Sequence, residues 1–149
     1  MTCRQFTQAP VTKKQILPKG LVEAEARYRF AQGLIHQGKY EKAVQAFREF
    51  IAAHPKDVLT PNARYWLGWT YYVLRKYRTA AEIFLKGFRA DPKGNKAPDN
   101  LLSLGMSLSQ MGKKAGACTM FRKLTADFPD VPNFITQRLK GERASANCG

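Results

Sequence analysis

Apolar residues in this chain recur with helical spacing. Ala43, Val44, Phe47, Phe50 and Ile51 fall three or four residues apart, forming the stripe of an amphipathic helix. Ala117, Cys118, Met120, Phe121 and Leu124 form a second stripe of the same kind. The segments KDVLTPN (56–62) and KGNKAPD (93–99) break the pattern with Pro, Gly and Asn, and read as turns. Val44, Phe47 and Ile51 are expected in the core.

The pattern also repeats. Pro55, Pro92 and Pro129 lie 37 residues apart, as do Phe47, Phe84 and Phe121. Ala43, Ala80 and Ala117 keep the same step, and so do Ala31, Gly68 and Gly105. Each column has a physical use. A small residue allows two helices to approach, and an alanine lets the second helix pack back. The aromatic fills the space between repeats. The proline stops the second helix, because it has no N–H to continue the hydrogen bonding and restricts the residue before it. The second copy reads Leu67, Gly68, Tyr71, Tyr77, Ala80, Phe84, Pro92. This order resembles the tetratricopeptide pattern, in which each repeat is a pair of antiparallel helices. The expected fold is therefore all-α, a right-handed superhelical solenoid of three helix pairs at about 24–57, 61–94 and 98–131. A polar-faced capping helix is expected at about 133–146, because a solenoid must cover its last apolar face. The repeat domain spans 23–148. Residues 1–22 lack periodicity and carry four basic residues and no acid, as a flexible arm or linker remnant would. Asn62 and Asp99 lie near helix starts, where their side chains are expected to cap free N–H groups.

Charge changes the picture more than composition does. Hydrophobic residues make up 44% of the 149, enough for a buried core. Lys and Arg number 25 against 11 acids, a formal charge of +14, which favours anionic partners without choosing among them. Arg75, Lys76 and Arg78, with Lys93 and Lys96, are the densest cluster, read as a solvated face. No stretch is long and apolar enough to span a membrane, and the first twenty residues do not resemble a secretory signal. Cys3, Cys118 and Cys148 fit no zinc spacing. They are read either as free thiols or as one bridge with a cysteine left over. Cys118 on the last repeat and Cys148 after the capping helix are the candidate disulfide, which would pin the cap in an oxidising compartment.

At YWLG (65–68), KAPD (96–99), LGMSL (104–108) and Ala117–Cys118, the chain resembles the C-terminal repeat domain of the Tol-Pal system proteins of Gram-negative bacteria, the cell division coordinator (YbgF/CpoB) family. FxxFxxxxP, Phe47 to Pro55, belongs to the same pattern. The resemblance implies a periplasmic protein at the division septum that binds TolA and coordinates peptidoglycan synthesis with outer-membrane constriction. The peptidoglycan synthesis machinery is a further implied partner. Family members open with an export signal and a trimer-forming coiled coil. No heptad pattern precedes residue 24, so trimerisation is not expected of this chain.

The inward positions of each first helix are the candidate partner surface: Glu25, Tyr28, Gln32, Ile35 and His36, then Asn62, Tyr65, Trp69, Tyr72 and Val73, then Asp99, Leu102, Met106, Ser109 and Gln110. This groove suits an apolar or helical peptide with aromatic contacts. Packing against neighbouring helices is the alternative for Tyr65, Trp69 and Tyr72, and Trp66 is read as core. The inward positions hold no Lys or Arg, so a cationic clamp for a terminal carboxylate is not expected. His36 and His54 stand in different roles, and no nucleophile-and-base constellation, phosphate-binding loop or metal motif occurs. The chain is read as non-enzymatic, without metal or cofactor. Nucleic-acid binding rests on charge alone and is not expected. A general adaptor unconnected with division, or a protein that binds an anionic polymer, are the competing functions.

Overall fold

The computed structural model describes residues 24–149; the expected arm at 1–22 lies outside the described residues. Seven helices follow one another: α1 (Ala24–His36), α2 (Tyr40–Ala53), α3 (Thr60–Val73), α4 (Tyr77–Ala90), α5 (Ala97–Gln110), α6 (Lys114–Asp127) and α7 (Asn133–Ser145). Each packs on the next through α6, α3 also reaches α5, and α7 lies against both α5 and α6. No strand occurs among the described residues. The fold is a helical solenoid of three pairs with a seventh helix at its end.

The 37-residue step recurs in the backbone. The helices α2, α4 and α6 begin at Tyr40, Tyr77 and Lys114. They end at His54, Asp91 and Phe128, whose φ values of −131°, −149° and −133° leave the helix directly before the three prolines. The turn inside each pair is equally regular. Gly38, Arg75 and Gly112 adopt φ of 72°, 61° and 77°. Their N–H groups donate to Ile35, Tyr72 and Ser109, and those of Lys39, Lys76 and Lys113 donate to Leu34, Tyr71 and Leu108. This pair of bonds closes the end of the first helix with one left-handed residue.

Packing within a pair rests on the small residue and the phenylalanine. A Cβ on Gly68 would come within 2.7 Å of Phe84, and one on Gly105 within 2.3 Å of Phe121. Phe47, Phe84 and Phe121 are fully buried, each contributing about 1.5–3 kcal/mol by leaving water. Val44 and Ile51 pack on the same core while half-buried. That core runs from α1 to α4 and ends on Leu104 of α5. A second core gathers Leu101 and Leu102 of α5, Cys118, Phe121 and Leu124 of α6, and Ile135 and Leu139 of α7. A disulfide joins Cys118 to Cys148 across a Cα separation of 5.5 Å and ties the end of the chain to α6.

The helix starts differ from the expected caps. No side-chain cap bond closes α3 or α5, and each has proline in its first turn. Asn62 and Asp99 are the third residues of these helices, past the capping position. Proline in the first turn removes an N–H that would otherwise need a partner, so less capping is required. Before α3 the capping is done from outside, where Asp57 Oδ1 accepts the Leu59 N–H at 2.9 Å.

Candidate functional site

The first helices of pairs one and two leave a gap between their inward faces. Gln32, Ile35 and His36 of α1 form one wall, and Trp66 and Trp69 of α3 form the other. The space between them is about 270 Å³ and opens to solvent. The two indoles meet edge to face with centroids 5.7 Å apart, and Tyr40 at the start of α2 stands 6.3 Å from Trp69. These rings hold each other, so the cleft needs little reordering to accept a ligand.

Tyr28 belongs to the core of the first two pairs. Its ring is 8% exposed and packs edge-on against Phe47 and Phe50. Its hydroxyl accepts a hydrogen bond from Gln32 Nε2 at 3.2 Å and also engages Trp66 and Asn62. Burial pushes this phenol up despite those bonds. Tyr28, Gln32, Asn62 and Trp66 thus form a polar seam that couples α1 to α3 beneath the cleft.

Further along the face the surroundings become charged. The Lys96 ammonium sits 4.9 Å from the centre of the Tyr65 ring, so a cation does reach the inward side. It comes from the residue before α5, not from an inward helical position. Burial, then the Asp99 charge, raises the Tyr65 phenol, while Ser103 and Arg138 partly offset this. Burial likewise raises the Asp99 carboxyl above the ordinary carboxylate range, against the pull of Lys96. Tyr72 is raised by burial and by Glu142, while Gln110 hydrogen-bonds it. Arg138 and Glu142 belong to α7 and pair at 2.9 Å. Their influence on Tyr65 and Tyr72 marks where α7 comes down beside the concave face.

A family model described as tetratricopeptide repeat matches residues 21–95, and a second of that description matches 99–130. The chain belongs to the tetratricopeptide repeat family. No curated protein matches it in sequence. Among solved structures it is similar to the Yersinia enterocolitica type III secretion chaperone SycD in complex with a peptide of the translocator YopD. That match has a TM-score of 0.72 and 21% identity, covering 83% of this chain and 91% of the other. The second tetratricopeptide domain of human RPAP3, in complex with an HSP70 peptide, aligns with a TM-score of 0.68 and 19% identity, covering 85% and 96%. A type III secretion complex from Aeromonas hydrophila gives 0.67 and 20%, covering 85% and 84%. At these identities the likeness is one of fold.

Within this tetratricopeptide array the expected groove residues divide. Gln32 and Trp69 line the open cleft together with Ile35 and His36. Asn62 joins its polar seam, and Tyr65, Tyr72 and Asp99 stand half-buried toward α5 and α7. Two expectations require correction. Tyr28 is a core ring whose hydroxyl is bonded to Gln32, Asn62 and Trp66. Leu102 is 8% exposed and belongs to the second core with Ile135 and Leu139, so no partner reaches it. Met106 packs at the edge of the same cluster. Trp66, expected in the core, packs on it while half-buried and also forms a wall of the cleft. No group of three or more metal-ligating side chains gathers among the described residues.

Proposed function

We propose that this array is a protein-binding module of the Tol-Pal system. It seats a segment of TolA and thereby couples septal peptidoglycan synthesis to outer-membrane constriction in the periplasm. The observation that carries the binding mode is the open cleft between α1 and α3, with two preset indoles on one side and Ile35 on the other. A peptide that places one apolar side chain between Trp66, Trp69 and Ile35 gains anchor area there. Gln32 and His36 at the rim are available for its backbone. Relatives in fold are found in complex with peptides of a translocator and of HSP70, which supports peptide capture by this one. YWLG, KAPD and LGMSL support the Tol-Pal assignment. The Cys118–Cys148 bridge supports an oxidising compartment, since such bonds persist there and are rare in the cytosol.

A calorimetric titration with purified TolA, run beside a Trp69→Ala variant, tests this. Binding that the variant loses, with helicity unchanged, is the expected result. Binding that the variant keeps moves the interface off the cleft. No heat at protein concentrations up to roughly 1 mM, near −4 kcal/mol, would remove TolA and leave the general adaptor reading.

A further inference from the structure

The edge of the array opposite the inter-repeat loops carries a ladder of cations. Lys39, Lys76 and Lys113 occupy one position in three repeats, each the last residue of its left-handed turn and the N-cap of the next helix. All three are exposed, with nearly the same backbone, φ near −90°. In repeat one Glu41 follows Lys39. In repeats two and three the first turns of α4 and α6 hold no acid. There Arg75, Lys76, Arg78 and Lys113 surround a groove of about 420 Å³ between successive turns, with Tyr77 and Met111 also lining it. None of the four cations enters a salt bridge among the described residues.

Four unpaired like charges around one groove repel one another, and an anionic occupant relieves that repulsion. The free N–H groups at the starts of α4 and α6 add to the positive potential, since no side chain caps either helix. Arg75 sharpens the case. It takes the left-handed backbone that glycine takes at the two equivalent positions, at a cost in strain, and so places at the groove a cation that the other two turns lack.

The lining narrows the kind of anion. Bases of single-stranded nucleic acid stack on free aromatic faces. Tyr77 is the ring here, and it is already engaged edge-on by Tyr72 at 5.2 Å. Met111 instead gives an apolar, adaptable contact suited to an aliphatic side chain. We infer that this turn edge is a second docking surface, which takes an acidic protein segment with an aliphatic residue set among its carboxylates. It is separate from the α1–α3 cleft, so the array can hold two segments, or two parts of one partner, at once.

Fluorescence anisotropy of the full chain with a labelled peptide of repeating Glu-Glu-Leu, about twelve residues long, tests this. The expected result is saturable binding that weakens with salt. Binding should fall roughly tenfold in K76Q/R78Q/K113Q, whose exposed positions leave the fold intact, and stay unchanged in Trp69→Ala. Arg75→Gly should raise the melting temperature while weakening the peptide a few-fold. Wild-type affinity in the triple variant would overturn the proposal, as would absence of peptide binding. A thymidine oligonucleotide that displaces the peptide and binds more tightly would overturn it too, giving the edge to nucleic acid. Because Trp69 lies outside this groove, failure of TolA to bind the cleft leaves the result interpretable.

Discussion

The two ends of the concave face are built from equivalent helices yet present different surfaces. At the α1–α3 end, Trp66 and Trp69 face Gln32, Ile35 and His36 across open space. At the α5 end, Leu102 is buried in one cluster with Ile135 and Leu139 of α7. The repeat backbone is the same at both ends, as the matching turns and helix stops show. What differs is the neighbour. Leu102 stands two 37-residue steps after Tyr28 and both are 8% exposed, Tyr28 packed on Phe47 and Phe50 and Leu102 clustered with Ile135 and Leu139 of α7.

This comparison is easiest to break with paired truncations. Leu102→Ala should cost roughly 2–5 kcal/mol by urea unfolding, because it opens a cavity in a closed core. Ile35→Ala, on the open side, should cost about 1 kcal/mol or less. Equal costs would mean that α7 does not cover α5. Cys148→Ser should come next. Its bridge closes 30 residues of separation, so its loss should remove about 3 kcal/mol. Limited proteolysis should then cut α7 sooner while sparing α1 to α4. Uniform loss across the chain would argue that the two ends are not separable.

Gly105→Ala probes the packing beneath the covered end. The added methyl meets the fully buried Phe121 ring, and a loss of about 1–3 kcal/mol in melting experiments is expected. Repeat one carries alanine at this place, Ala31, opposite a phenylalanine that is equally buried. Ala31→Gly should therefore weaken its pair by helix propensity and lost contact alone, about 1 kcal/mol. The smallest effect is expected at the border between the ends, at Asp99. Its carboxyl is raised by burial, so the native state holds this proton to higher pH than the unfolded chain does. Asp99 therefore costs stability once pH rises past the unfolded value, and the cost is complete above the folded one. Asp99→Asn should raise the melting temperature at about pH 7 and lose that advantage near pH 3. An advantage that persists in acid would mean that charge is not the cause.

Sequence spacing made the repeat backbone legible because its causes are local. A proline cannot continue a second helix and disfavours helical backbone at the residue before it, and Phe47, Phe84 and Phe121 each need the small residue of their own pair. The left-handed turn inside each pair came only with the structure, at Gly38 and Gly112 and also at Arg75, where the residue type gives no sign of it. Asn62 and Asp99 were misjudged as caps because the proline ahead of each had already changed what the helix start requires. Trp66 does pack on the core as its helix position suggests, and only the placement of Gln32, Ile35 and His36 across from it shows that it also lines a cleft.

The sequence alone determined the helical period, the pairing of helices, the stops, and the excess of positive charge. Each of these follows from residues within one repeat or from a simple sum. Tertiary structure alone decided which inward residues remain open. It buried Leu102 under α7, brought Lys96 onto Tyr65, and gathered Arg75, Arg78 and Lys113 around one groove. Exposure belongs to a pair of surfaces, and no single helix carries the information about what will be packed against it.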